Sequence, residues 1–435
     1  MPQFLHVADP HIDSPVSTGF RPADLSGLRA ESLTRDAFAA AVDLAITEGV
    51  TAFMIAGDLF DGDWKRGGTR QGRENAGTWQ WTTGQFRRLV EAGIPVAFLR
   101  GNHDAASQLA VDLRFEGVHE FDTGRADTLR LPDAGLAIHG QGYERREQTA
   151  RIAAAYPKAD PGLFNVGVLH TGMESGGSYA PASAEDLRGR GYGYWALGHI
   201  HKPGDVGDGR SVPMRYAGNP QGRNVNECGP RGCLLVEYGS GSAEVEHRPL
   251  DKLRWFHEEV AADGCEDTDA LLDAVCDGLA ERRGSAGDRA IVARVTVTGS
   301  FEEHHKIDGF SAKSVFETDV RERAAELDNV WVEAVRVRTS PPVDVDRLVR
   351  PGDPMRDVLD QLDEALRLVE DDEAAADPLS EIGQSAAVAD VTAAFDQHMT
   401  DIAARRLPFE PRAADYRRWL QAARSHLIAE LAREA

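Results

Sequence analysis

Five short apolar runs between Phe4 and His201 each stop at an aspartate or a histidine, and this repeated ending constrains the chain more than any other feature. The run Phe4-Leu5-His6-Val7-Ala8 ends in Asp9-Pro10-His11, and residues 50–56 end in Gly57-Asp58. Ile94 to Leu99 leads into Gly101-Asn102-His103-Asp104, residues 164–169 end at His170, and residues 194–198 end in His199-Ile200-His201. Such runs read as buried strands. Asn and Asp also suit plain turns, so any one ending says little. Together they place carboxylates, an amide and imidazoles at strand C-terminal ends, where open α/β sheets gather their ligands.

Between these runs lie helical or polar stretches, notably 29–48 and a helix near 80–92, with further apolar runs at 135–139, 214–217 and 232–238. That rhythm predicts an α/β domain over residues 1–248. A small α+β domain is expected over 249–340, from a strand–helix–strand–helix–strand pattern running from Trp255 to Val337. Ser340-Pro341-Pro342 marks a linker to a helical region, 341–435. In that region Val358, Leu359, Leu362 and Leu366, and later Trp419, Leu420, Leu427 and Leu431, form apolar stripes. A stripe of this kind packs on its own domain or binds a partner helix-in-groove.

The net charge of -23 is unevenly divided, -6 over residues 1–250 and -17 over 251–435. Bulk attraction to a polyanion is therefore excluded as the main source of nucleic-acid affinity. One local exception is the glycine-rich stretch after Asp61, with Lys65, Arg66, Arg70 and Arg73 followed by Trp79 and Trp81. Read functionally, it is a loop that tracks a nucleic-acid backbone and stacks bases. Read structurally, it is a solvated loop whose tryptophans return to the core. Cys228, Cys233, Cys265 and Cys276 have neither zinc-ribbon nor C-x-x-C spacing, which suits free thiols in a reducing compartment. No basic, apolar leader precedes the first strand and no run is long enough to span a membrane, so a cytoplasmic protein is expected.

The strand-end set mixes oxygen and imidazole donors, a combination suited to Mn(II), Fe(II) or Zn(II). The donor count fits two divalent ions: Asp9, His11 and His201 for one, Asn102, His170 and His199 for the other, and Asp58 between them. Two ions about 3.5–4 Å apart can hold a hydroxide and clamp an in-line displacement at phosphorus. His103 is then free to stabilise or protonate a leaving group, with Asp104 orienting it.

Taken together, Asp9-x-His11, Gly57-Asp58-Leu59-Phe60-Asp61, Gly101-Asn102-His103-Asp104, His170 and Gly198-His199-x-His201 resemble the signature of the calcineurin-like metallophosphoesterases. Within that superfamily, Tyr194 to Lys202 and Gly218-Asn219-Pro220-Gln221-Gly222-Arg223 are similar to the SbcD and YhaO-like DNA repair exonucleases. The resemblance implies a four-layer αββα sandwich with a small α+β capping domain and a helical C-terminal tail. It also implies Mn(II)-dependent phosphodiester cleavage of DNA, and docking of the tail on an SMC-like, SbcC-type ATPase; a second copy of the chain is the other candidate partner. Pro10 departs from the pattern, since relatives generally carry a bulkier residue there. Two other readings stay open: a phosphatase or small-substrate phosphodiesterase on the same core, and a non-catalytic ATPase-binding subunit.

Overall fold

The computed structural model describes residues 1–16, 32–61, 70–107, 114–173, 177–207, 212–239, 241–308, 310–342, 349, 354–371, 420, 424 and 427. In chain order its first strands are β1 (Gln3–Val7), β2 (Ala52–Ile55), β3 (Val96–Phe98), β4 (Val118–Glu120), β5 (Asp127–Leu131) and β6 (Leu136–Gly140). There follow β7 (Phe164–His170), β8 (Tyr194–Gly198), β9 (Gly204–Asp205), β10 (Met214–Tyr216), β11 (Gly232–Gly239) and β12 (Ser242–Pro249). They form two six-stranded sheets, ordered β12-β11-β1-β2-β3-β4 and β5-β6-β7-β8-β10-β9. The centre of each is parallel, through β1-β2-β3-β4 and β6-β7-β8-β10, so the successive C-terminal ends emerge along one edge.

Side chains alternate across a strand, and here the alternation sorts residues into layers. From β1 and β2, Leu5, Val7, Phe53 and Ile55 pack with Phe38, Ala41 and Val42 of α1 (Leu33–Glu48) and Phe86 and Leu89 of α2 (Arg70–Glu91). Their neighbours Phe4, Ala52 and Met54 turn the other way and meet Ile138, Val166, Val168, Tyr194 and Ala196 of the second sheet. On that sheet's outer face Leu169, Trp195 and Leu197 pack with Tyr156 and Leu187. The result is a helix–sheet–sheet–helix stack, the expected αββα arrangement. Each large apolar side chain so buried contributes roughly 1.5–3 kcal/mol.

Helix α2 starts at Arg70, about ten residues before the helix expected near 80–92. Its glycines read locally as loop, yet Thr78, Thr82, Phe86 and Leu89 share a buried face. That packing outweighs the glycine cost of about 1 kcal/mol per residue. Trp79 stacks on Phe115 with ring centroids 3.9 Å apart, and Trp81 packs near Phe38 under the Arg35 guanidinium. The tryptophans pack, partly buried, against the core, as the structural reading of this stretch has it.

Farther along, β13 (Leu253–Ala261), β14 (Ala290–Ser300) and β15 (Val330–Ser340) form a three-stranded sheet, with helices Thr268–Ser285 and Phe310–Ala324 between them in sequence. Contacts group residues 1–260, 272–296 and 314–336 into one compact unit, and 261–271, 297–313 and 337–435 into another. Within the second, Glu303 accepts from the backbone N–H and hydroxyl of Thr268 at 2.9 and 2.8 Å. Helix Pro354–Asp371 buries Leu359 and Leu362 there, and Arg424 donates to Asp363 at 3.2 Å. Trp419 and Leu431 lie outside the described residues. Among the described residues no helix is long and apolar enough to cross a membrane.

Candidate metal centre

The site begins where β1 and β2 stop twisting as strands but keep their pairing. The Asp9 N–H donates to the Gly57 carbonyl at 3.1 Å, His11 N–H to Asp58 at 3.1 Å, and Ile12 N–H to Leu59 at 2.9 Å. Along this extension Asp9, His11 and Asp58 take φ of 49°, 42° and 51°, a left-handed backbone that non-glycine residues seldom adopt. An aspartate has a short reach, and this bend brings its carboxylate over the sheet edge. Strain of this kind concentrates at functional sites.

Three groups of ligand atoms converge there, two of them sharing His11. Those of Asp9, His11 and His201 lie within 4.8 Å of one another, as do those of His11, Asp61 and His103, and those of Asp58, His170 and His199. Asp58 faces the first and the last: one oxygen stands 3.9 Å from Nε2 of His11 and 3.4 Å from Nε2 of His170. Asn102 Oδ1 lies 2.9 Å from Nε2 of His170 and 3.1 Å from Nδ1 of His199. The His199 N–H donates to both Asp9 oxygens at 3.0 Å, linking the second sheet to the first. All seven residues expected to be ligands are therefore brought together.

The donor set suits divalent cations. Asp9 and Asp58 are buried carboxylates and, among the described residues, neither pairs with a lysine or arginine. Buried charge without such a partner calls for another cation. Nδ1 of His201 lies 2.7 Å from Glu227 and 3.2 Å from the Arg223 guanidinium, so this edge of the ring is engaged and Nε2 faces the site. This Nε2 stands 3.2 Å from Nε2 of His11.

Electrostatics separate the carboxylates. Burial raises Asp9, whereas for Asp58 burial is outweighed by His170 and His11, which hold it well below the usual range. His170 rises to about 9: burial opposes this, and the Asp58 and Asp9 charges overcome it. His199 is depressed to about 4 by burial and by the His170 charge.

His103 sits at the mouth of the site, with 37% of its side chain exposed. Its backbone N–H donates to Asp58 at 2.8 Å, and its Nδ1 lies 3.4 Å from Asp61. Burial lowers its pKa, against the raising effect of Asp58. Asp104 does not stand behind it. The Asp104 carboxyl accepts backbone N–H groups from Leu59, Phe60 and Gly101 at 3.0–3.1 Å. It staples the β2 and β3 ends together, and burial with the nearby Asp58 charge pushes it up to about 7. The carboxylate that lies beside the His103 ring is Asp61.

Lys65 and Arg66 lie outside the described residues, and Arg70 and Arg73 open α2 with side chains outside them. Sequence reasoning missed Glu227. Its one local signal is an acid in a polar loop four residues after Arg223, between Gly222 and Gly229.

Comparison with known proteins agrees with this geometry. Residues 2–203 match the calcineurin-like phosphoesterase family, and residues 255–340 match the middle domain of metallophosphoesterase YhaO. The uncharacterized metallophosphoesterase YhaO of Bacillus subtilis is 28% identical over 69% of this chain and 72% of its own. The DNA double-strand break repair protein Mre11 of Saccharolobus solfataricus is 24% identical over 51% of this chain, and that of Sulfurisphaera tokodaii 26% over 46%. The chain spans about half the length of these two Mre11 relatives, 55% and 49%. A dimetal phosphatase from Danio rerio, at TM-score 0.37 and 11% identity over 57% of this chain and 96% of that one, is too distant to bear on mechanism.

Proposed function

Residues 2–203 belong to the calcineurin-like phosphoesterases, and from that premise we propose that this chain is a metal-dependent phosphodiesterase acting on DNA, as an exonuclease or endonuclease in repair. The observation that carries the reading is the convergence of Asp9, His11 and His201 with Asp58, His170 and His199 around one strand-end edge. The similarity to proteins named for DNA double-strand break repair supports DNA as the substrate.

In this reading Asp9, His11 and His201 hold one divalent cation, Asn102, His170 and His199 hold a second, and Asp58 serves both. Mixed oxygen and imidazole donors suit Mn(II), Fe(II) or Zn(II), and among these the resemblance to the DNA repair exonucleases favours Mn(II). The ions, when bound, supply Lewis acidity to the phosphate oxygens and lower the pKa of an attacking water. The protein's own part is positioning. The left-handed backbone aims the carboxylates, Asn102 orients two imidazoles, and the main-chain ladder from Asp9 to Ile12 fixes the edge. His103, half-buried beside Asp61, is placed to stabilise or protonate the departing oxygen. The tail, 341–435, is assigned to an SMC-like ATPase or a second copy of the chain on the Trp419 to Leu431 stripe of its sequence, since Leu359 and Leu362 of the earlier stripe are already buried.

A nuclease assay on single- and double-stranded DNA with Mn(II) or Mg(II), run beside p-nitrophenyl phosphate esters, tests the substrate. Mn(II)-dependent release of nucleotides from DNA is expected. Turnover of the small esters alone would replace DNA with a small phosphoester substrate.

A further inference from the structure

His201 is held more elaborately than a ligand at a plain strand end requires. Glu227, itself buried, approaches Nδ1 of His201 with one oxygen, and that oxygen also takes an N–H from the Arg223 guanidinium at 3.3 Å. Its other oxygen accepts from the Asn219 amide at 2.8 Å and the Arg223 backbone N–H at 2.7 Å. The carboxylate is thus tied on both sides and cannot swing away from the imidazole. The His201 carbonyl is fixed as well, accepting from the Asn219 backbone N–H at 3.2 Å and from Arg231. Gly218 completes the cradle with φ of 71°; a Cβ there would stand 2.5 Å from the His201 carbonyl oxygen.

The Arg223 guanidinium reaches further. It donates to Ser14 Oγ at 3.1 Å and lies 3.6 Å from Asp61, whose Oδ1 is 2.7 Å from Nδ1 of His11. The two imidazoles that face each other across 3.2 Å each have a carboxylate oxygen 2.7 Å from Nδ1, a hydrogen bond at His201 and a close approach without hydrogen-bond geometry at His11, and one arginine spans both carboxylates. His170 is backed differently: its Nδ1 meets the Ala56 carbonyl at 2.9 Å.

We infer that Glu227 is a positioning residue for the cation held by Asp9, His11 and His201, fixing the His201 ring so that its Nε2 faces the Asp9 and His11 ligand atoms. Arg223 links the same carboxylate to Asp61, beside His11. The inference rests on the proposed reading of the site as a metal centre and not on DNA as the substrate. An outer-shell partner of this kind typically governs metal affinity by 10–100-fold.

Calorimetric titration of the metal-free full chain with Mn(II) tests it, comparing wild type with Glu227→Gln and Glu227→Ala. Wild type takes up two ions. In Glu227→Ala one binding step weakens about 10–100-fold while the other is unchanged, and Glu227→Gln, which keeps the shape and an acceptor oxygen, loses less. Circular dichroism checks folding, and if the alanine variant does not fold the isosteric glutamine variant decides. Equal weakening of both steps in a folded variant makes the network ordinary fold support and overturns the inference. Unchanged affinity in both variants overturns it too. Wild type binding no Mn(II) would instead overturn the reading of the site itself, and the inference with it.

Discussion

The two sheets contribute unlike chemistry to one edge. The first supplies both carboxylates, Asp9 and Asp58, the Asn102 amide and the His11 imidazole; the second supplies imidazoles only, His170, His199 and His201. The backbone does not divide the same way. Asp9, His11 and Asp58 of the first sheet have positive φ, and so does His199 of the second at 96°, whereas His170 ends β7 without it. Strain therefore lies on both sides of the edge, at carboxylates and imidazoles alike.

The sharpest way to break the comparison is Asp58→Asn, which removes the charge that faces both proposed ion sites. Turnover is expected to vanish and bound metal to fall in parallel, read by DNA hydrolysis and elemental analysis. Two tightly bound ions in an active variant would show that the first sheet's charge is dispensable.

His103→Leu comes next. If this residue acts on the leaving group, kcat drops by about 10²–10⁴ with both ions retained. Loss of one ion equivalent would make it a ligand.

A pair of glycine substitutions separates site from scaffold. A Cβ at Gly101 would run into the Asp58 carboxylate, and one at Gly167 into the Trp195 ring on the second sheet's outer face. Both overpack, at about 1–3 kcal/mol in thermal denaturation. Gly101→Ala should also lose metal, whereas Gly167→Ala should melt earlier with its ions intact; the same metal loss in both would erase the distinction between the sheets.

A further effect concerns the seam. His6 of β1 meets the Tyr194 hydroxyl of β8 at 3.1 Å, and burial drags its pKa down from 6.5 to about 3. The unfolded chain then binds the proton that the folded chain refuses. The His6 contribution is complete above pH 6.5 and is lost as pH falls toward 3, at about 1.4 kcal/mol per pH unit. Denaturant midpoints for His6→Gln should fall less steeply than wild type between pH 6 and 4. Identical slopes would place the acid sensitivity elsewhere.

Much of the layered fold and the ligand cluster was legible because buried strands advertise themselves as apolar runs, and their polar endings stand out against that background. Other elements gave no such contrast. Strand β12 alternates exposed and half-buried residues at a sheet edge, and β4 is only three residues long. In α2, glycine density hid a helix whose existence depends on packing. Asp61, Asp104 and Glu227 were obscure for a further reason. Their roles are set by partners such as His11, Leu59 and His201, which come near only when the chain folds, so no local spacing announces them.

The ladder that continues past the end of β1 bears on how the centre can open. Since the amides of Asp9, His11 and Ile12 are paired to the β2 extension, this edge cannot fray like a loop without unzipping the parallel pair from its end. Its amide hydrogens should exchange with solvent at rates governed by unfolding of the first sheet, not by local breathing. Metal release by backbone opening at that edge is then gated by the stability of the sheet.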